Sequence, residues 1–259
     1  MRRLSRRARY LILRLAGPYM SWGLPSRNDN RPTHDFPTKS ALCGILSSAM
    51  DMYDEITMEA LRAMQVVFFK VKGGELHEDY QTVGVFKPVP YGKKDEKVPA
   101  REGMVPVCQN RCDKKNEEIP DGEDAELGGR KSGRIKKTPQ RTAVTYRQYL
   151  TGANFLVMIE ASPDFVDRCI EALTHPKNGL WLGRECCIPS CSILEEVFDD
   201  EDDAVAYLES HGVKNGETEF EADVKNVDKA TGSLLDSPVR FCAFDGYRRR
   251  PVQRGIWRG

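Results

Sequence analysis

No long hydrophobic run occurs in this chain of 259 residues. A membrane-crossing helix needs about 20 mostly apolar residues, so no membrane partner is expected. Also missing are H-E-x-x-H, G-x-S-x-G and G-x-x-x-x-G-K-[ST]. Their absence removes the zinc-peptidase, serine-hydrolase and P-loop readings that those spacings carry. There is no excess of charge of either sign, because 39 basic residues face 39 acidic ones. No internal repeat is found. The start, MRRLSRRARYLILRLAG, imitates a secretory leader, but Arg14 interrupts its apolar core and no small-residue cleavage site follows. Residues 1–9 read instead as a disordered basic tail, or as the product of a start codon set too early. With no export signal, the expected compartment is the cytoplasm and the eight Cys are expected as free thiols.

What is present is a somewhat low apolar share, 40%, beside a somewhat high charged share, 30%. That balance implies a folded body with a real core plus a long solvated insertion. The charge is unevenly placed. The first fifty residues hold nine basic residues and two acids; RKSGRIKKTPQR, 130–141, holds six basic residues and no acid; the last twenty hold six Arg and one Asp. The opposite pole is EEVFDDEDD, 195–203, with seven acids. Basic patches inside a neutral total are compatible with a polyanionic partner, and equally with ordinary solvated faces. Cys108/Cys112 and Cys187/Cys191 share one spacing. Four thiolates can hold zinc, but the usual first spacing is C-x2-C, and buried or exposed free thiols are the simpler reading. No cofactor and no metal are expected.

The hydrophobic pattern predicts a buried strand over 10–16, a helix over 38–50 with Thr38 as N-cap, and a short helix over 56–65. A strand over 66–72 then turns at Gly73-Gly74 into a hairpin partner over 77–85. Residues 87–141 form an insertion with almost no apolar periodicity. A core strand follows over 153–161, then an amphipathic helix over 163–173, an acidic helix over 195–211 and late strands over 217–224 and 238–244. The result is a βαββαβ-like α+β layer, a common RNA platform when its sheet face stays open.

Three clusters draw attention. The first is the loop AGPYMSWGLPSRNDNRPTHDFPTKS, which enters the 38–50 helix through Thr38-Lys39-Ser40. A helix N-terminus with two hydroxyls and an ammonium suits phosphate. Arg27 and Arg31 could flank it, and Trp22 could stack a base. A plainly capped helix with a core Trp explains the same letters. The second is RTAVTYRQYL, which interleaves Arg141, Tyr146, Arg147 and Tyr149 as single-stranded RNA contacts do, or as a strand edge does. The third is GLWLGRECC, where Arg184 follows a glycine. For catalysis, metal-free RNA cleavage needs a base, an acid and a cation. His34, Tyr19 and Lys39 are the right types in one loop, but their spacing does not specify that geometry.

The residues Leu13, Arg14, Leu15, Gly17, Pro18, Trp22, Gly23, Arg31, Thr33, Phe36, Pro37, Thr38, Lys39, Ser40, Gly44, Ile45 and Leu46 resemble the amino-terminal pattern of the CasD family of CRISPR-associated proteins, the fifth Cas family, in its type I-E form. Asp79-Tyr80-Gln81-Thr82, Thr145-Tyr146-Arg147-Gln148-Tyr149-Leu150 and Leu182-Gly183-Arg184 follow in the family's order, so the likeness covers most of 10–194. It implies a ferredoxin-like, RRM-like RAMP domain with a thumb-hairpin insertion and a smaller C-terminal β-containing part. The boundaries would be a tail over 1–9, RAMP domain over 10–86 and 142–212, thumb over 87–141, and C-terminal strands with a basic tail over 213–259. It also implies a non-catalytic subunit of the Cascade complex that grips the 5′ handle of crRNA. Its neighbours would be the last backbone subunit and the large PAM-reading subunit, and its target DNA contact would be indirect. The RNA contacts would then be Trp22, Arg27, Arg31, Thr38, Lys39, Ser40, Arg134, Lys136, Lys137, Arg141, Tyr146, Arg147 and Arg184, with no catalytic residue. After Gly183-Arg184 the chain departs from the family, carrying CCIPSCSI where a Pro-x-x-His-Pro stretch is usual. A related type I-C branch cuts its repeat RNA with Tyr, Lys and His, and that pattern has no clear counterpart here. The remaining alternatives are a metal-independent repeat endoribonuclease and an interaction module that docks a partner through its acidic helix.

Overall fold

The computed structural model describes residues 8–23, 30–83, 143–224, 227–238 and 247–259. Arg27, Arg134, Lys136, Lys137, Arg141, Cys108, Cys112 and the expected thumb over 87–141 lie outside the described residues. Two compact units are distinguished, Met1–Asp79 with Arg147–Gly259, and Tyr80–Tyr146. In the second, the rings of Tyr80 and Tyr146 meet edge to face at 5.4 Å. The first holds every described helix and the main sheet.

The protein is α+β. Its strands and helices are β1 (Arg9–Ala16), β2 (Tyr19–Met20), β3 (Asn30–Arg31), α1 (Lys39–Met50), α2 (Glu55–Ala63), β4 (Gln65–Lys72), β5 (Glu75–Val83), β6 (Ala143–Thr151), β7 (Asn154–Ala161), α3 (Pro163–Thr174), β8 (Leu194–Phe198), α4 (Glu201–Ser210), β9 (Glu219–Asp223), β10 (Gly232–Pro238) and β11 (Tyr247–Ile256). Seven strands form one antiparallel sheet in the order β10-β11-β9-β4-β7-β1-β8. A second sheet runs β2-β6-β3, with β5 also on β6.

Alternation along the strands makes two apolar faces. Leu11, Leu13, Leu15, Val66, Phe68, Phe155, Val157 and Ile159 share a core with Leu42, Ile45 and Leu46 of α1 and Phe165, Val166 and Cys169 of α3. On the reverse face, Ile12, Phe69, Leu156 and Met158 pack with Ala204 and Leu208 of α4, with Trp257 alongside. The β1 segment YLILRLA is therefore apolar on both sides because both sides are covered. This corrects the open sheet face expected for RNA. A groove of about 360 Å³ does remain there, lined by Tyr10, Glu160, Glu201, Asp223 and Lys229 among others.

Two further expectations change. The segment after Gly73-Gly74 is a strand, but it leaves β4 and pairs β6 in the second sheet. The acidic segment over 195–211 is a helix only from Glu201; LEEVF before it is the edge strand β8, in register with Tyr10–Leu13 of β1. The apolar positions Leu194, Val197 and Phe198 keep a helical spacing, so it is the pairing with β1 that makes this segment a strand. The strand expected over 238–244 falls mostly outside the described residues, and strands stand instead at β10 and β11. These and β9 extend the main sheet rather than forming a separate part.

Glu195 fastens β8 to its neighbours. It accepts from Arg14 Nε and, at 2.9 Å, from Tyr207 Oη. Burial alone would raise its carboxyl pKa, but the bonds from Arg14 and Tyr207 outweigh it and hold the pKa below the usual carboxylate range. A depressed folded-state pKa stabilises the fold above the unfolded value, and that gain is lost as pH falls through the folded one. Glu195→Gln is expected to lose about 1–2 kcal/mol at neutral pH. Urea melts at neutral and acid pH check this, because the gap between wild type and variant should shrink in acid.

Candidate nucleic-acid interface

The helix end that reads as a phosphate site is assembled for another purpose. Thr38 is the N-cap, extended at φ −86°, ψ 150°, and its hydroxyl accepts from Ala41 N–H. The first helical N–H, that of Lys39, donates to Asp236 Oδ2 at 2.9 Å. An anion from this chain already occupies the positive end of the helix dipole. The Lys39 side chain is buried. Its three donors go to Asp223 Oδ2 at 2.7 Å, Met64 O at 2.8 Å and Arg62 O at 3.1 Å. An ammonium has only three, so Lys39 is corrected from a phosphate contact to the anchor of α1. Trp22 is corrected too. It has no exposed surface and meets Phe155 edge to face at 6.5 Å, so it cannot stack a base.

Asp223 and Asp236 belong to a wider buried set. Arg250 clamps Asp236 through Nε at 2.9 Å and a terminal nitrogen at 2.7 Å, reaches Glu221 at 3.1 Å and also bonds Asp223. Arg254 bonds Glu221 at 2.8 Å through Nε and meets His34 Nε2. Three cations and three carboxylates thus close into a neutral cluster spanning α1, β9, β10 and β11. Burial works against the Arg250 charge, but Asp236, Asp223 and Glu221 more than offset it and raise its pKa. His34 is buried, with Nδ1 beside Phe36 O and N–H and Nε2 against Arg254. Of the three residues weighed for RNA cleavage, His34 and Lys39 are thus both committed inside the protein, and Tyr19 is exposed.

The remaining expected residues gather around Arg184. Its guanidinium donates to Gln148 O at 3.2 Å and Arg31 O at 3.1 Å, and lies 4.6 Å over the Tyr149 ring. Tyr19 meets Tyr149 edge to face at 5.9 Å, and His77 lies 6.2 Å beyond Tyr19. A cation and three rings therefore run along the second sheet, with Tyr19 44% exposed. The Arg31 side chain is exposed beside them, whereas Arg147 is half-buried with an unpartnered Nε. Tyr146 is exposed in the other unit.

Arg184 is held by a close turn. Leu182 N–H donates to Cys187 O at 2.7 Å, Cys187 N–H to Arg184 O at 2.8 Å, and Ser21 N–H to Leu182 O at 2.9 Å. Gly183 sits at φ +103° against Ser21. Behind Arg184 lies a groove of about 460 Å³, walled by Trp181, Arg184 and Tyr247 and floored by the Ser40–Gly44–Ser48 side of α1. Thr38 and Ser40 line it, their hydroxyls 3.1 Å apart. Trp181 and Tyr247 were not anticipated. The signal for Trp181 was a Trp between glycines in a segment with no helix or strand period; for Tyr247 there was none beyond the Arg-rich run that comes after it.

The cysteines show ordinary buried-thiol behaviour where they are enclosed. Burial pushes Cys43 and Cys169 up to about 12 and Cys187 to about 11, so these stay protonated at neutral pH. Among the described residues no group of three or more His, Cys, Asp or Glu is arranged to hold a metal, and no described helix is long and apolar enough to cross a membrane.

Comparison with known proteins bears on the family and the fold. The family described as CRISPR-associated protein (Cas_Cas5) matches residues 10–243. The CRISPR system Cascade subunit CasD of Escherichia coli K12 is 29% identical over 181 residues, 69% of this chain and 66% of that protein's length. A solved chain from a CRISPR RNA-guided surveillance complex superposes with a TM-score of 0.61 at 22% identity, over 95% of this chain and 89% of that one. A second, described as a Cas protein, gives 0.54 at 18% identity, over 95% and 94%. At such identities the two structures speak for the fold alone.

Proposed function

The chain belongs to the Cas5 family of CRISPR-associated proteins, and from that premise we propose that it is a non-catalytic RNA-binding subunit of a type I-E Cascade complex. It grips the 5′ handle of crRNA at the foot of the complex, beside the backbone subunit and the large PAM-reading subunit, in the cytoplasm. The observation that carries the reading is the exposed pair of rings Tyr19 and His77, backed by the buried Tyr149 ring on which the Arg184 guanidinium lies. Exposed rings near a guanidinium and the exposed Arg31 are what single-stranded RNA uses for stacking and phosphate contact. Further support comes from the order β8-β1-β7-β4 with helices after β1 and β7, the arrangement of a ferredoxin-like domain. The CasD name of the E. coli relative points the same way.

The non-catalytic part rests on His34 and Lys39, whose polar atoms are engaged inside the protein. The direct test is to tag the chain in its native host, purify it gently and sequence the RNA that accompanies it. RNAs sharing one repeat-derived 5′ end before differing spacers are expected; their absence with the locus transcribed sinks the reading. Cleavage of repeat RNA by the purified chain in EDTA would make it an endoribonuclease instead. Arg31→Ala is expected to weaken binding similarly across RNA sequences and to lower the salt slope by about 1, with its melting temperature unchanged.

A further inference from the structure

We propose that the groove behind Arg184 captures a single unstacked nucleobase, sandwiched against Trp181; this rests on the RNA reading above. The groove is separate from the aromatic strip, with Arg184 as the wall between them. Its volume, about 460 Å³, lies in the range of small-molecule sites.

Trp181 is 38% exposed and Tyr247 is 48% exposed, and the Trp181 ring packs against the chain at Gly179. Its six-membered ring lies on the backbone of Gly179, where an added Cβ would overlap the ring carbons. The segment beneath is bound to α1 by Lys177 N–H to Ala49 O at 3.0 Å, Ser48 Oγ to Gly179 O at 3.1 Å and Asn178 Nδ2 to Ser48 O at 3.2 Å. A large ring that packs on ordered backbone with part of its surface in water is suited to stacking, because the contact limits the rotamer freedom lost on binding. The ring contacts Gly179 and also lines the groove, where part of it is left for a ligand.

The rest of the lining suits a nucleotide. Arg184 uses two N–H donors on carbonyls and has donors left for a phosphate or base edge. Ser40 offers a hydroxyl to the base edge or the ribose, and Ser48 Oγ, whose proton goes to Gly179 O, offers an acceptor. Gly44 keeps the floor low: a Cβ there would meet nothing within 4 Å. That space makes Gly44→Leu a filling variant that adds a side chain to the groove without displacing the core.

The test uses the full chain in its purified complex, loaded with synthetic repeat-derived RNA carrying the fluorescent base 2-aminopurine at one position at a time. One position is expected to be quenched on binding, and both Trp181→Ala and Gly44→Leu should restore its fluorescence. Each variant should also lower affinity for the chain's RNA roughly tenfold, while Gly44→Leu melts no lower than wild type. RNA that binds with every position indifferent to both variants overturns the groove and leaves the RNA reading standing. A wild-type complex that takes up no repeat RNA overturns both.

Discussion

Arg250→Ala is expected to lower unfolding stability by about 3–5 kcal/mol, enough to threaten the fold at body temperature. The side chain is 5% exposed and touches three carboxylates, Glu221, Asp223 and Asp236. Removing the guanidinium leaves those carboxylates with only Lys39 and Arg254 as counter-charges, and uncompensated buried charge is the expensive outcome. The loss should appear as a lower denaturant midpoint. Lys39→Met should be destabilising as well, and because both cations share Asp223, the double variant should fall short of the sum of the two. Additive losses would mean that the cluster is not one unit. A near-neutral Arg250→Ala would mean that water reaches these carboxylates freely.

The second large effect is placed at Gly183→Ala. A Cβ at this position would overlap the carbonyl oxygen of Ser21, and the backbone sits at φ +103°, which L residues rarely adopt. Strain of that kind is worth about 1–3 kcal/mol. The clash adds to it, because Ser21 N–H is also bonded to Leu182 O and cannot simply move away. A total loss of about 2–4 kcal/mol is expected. The loop should open to protease between 182 and 187, and RNA retention should fall with it, since the turn positions Arg184. An unchanged melting curve would show that the loop relaxes at no penalty and plays no part in holding Arg184.

These two residues show what a sequence can and cannot reveal. Leu-Gly-Arg is visible as a short motif, but the reason for its glycine is a backbone more than 150 positions earlier. Thr38 was legible as a cap because capping is local: the hydroxyl bonds three residues ahead. Lys39 was not. Its neighbours Thr38 and Ser40 make a phosphate site plausible, and nothing nearby announces that Asp223 and Asp236 fill it from the far end of the chain. Trp22 was misread for the same reason, since only the packing on Phe155 shows it to be core. The main strands and helices were readable from periodicity, with β1, α1, β7 and α3 close to their expected bounds. LEEVF failed because its acids look like a helix start, whereas its pairing with β1 decides the matter. β5 failed because a Gly-Gly turn fixes a change of direction and not the partner strand.

The cluster around Arg250 also sets an order of events during synthesis. Lys39 leaves the ribosome long before Asp223, Asp236 and Arg250 do, and its ammonium has no carboxylate to meet until they arrive. The first half of the chain can collapse around β1, α1 and β4, but it does so with an unmatched cation at the head of α1. Native closure of that region therefore waits for translation to pass residue 250, a long-range dependence that slows folding. Nascent chains stalled short of that point should remain open to proteases at the Thr38–Lys39 junction, and chains released just beyond it should not.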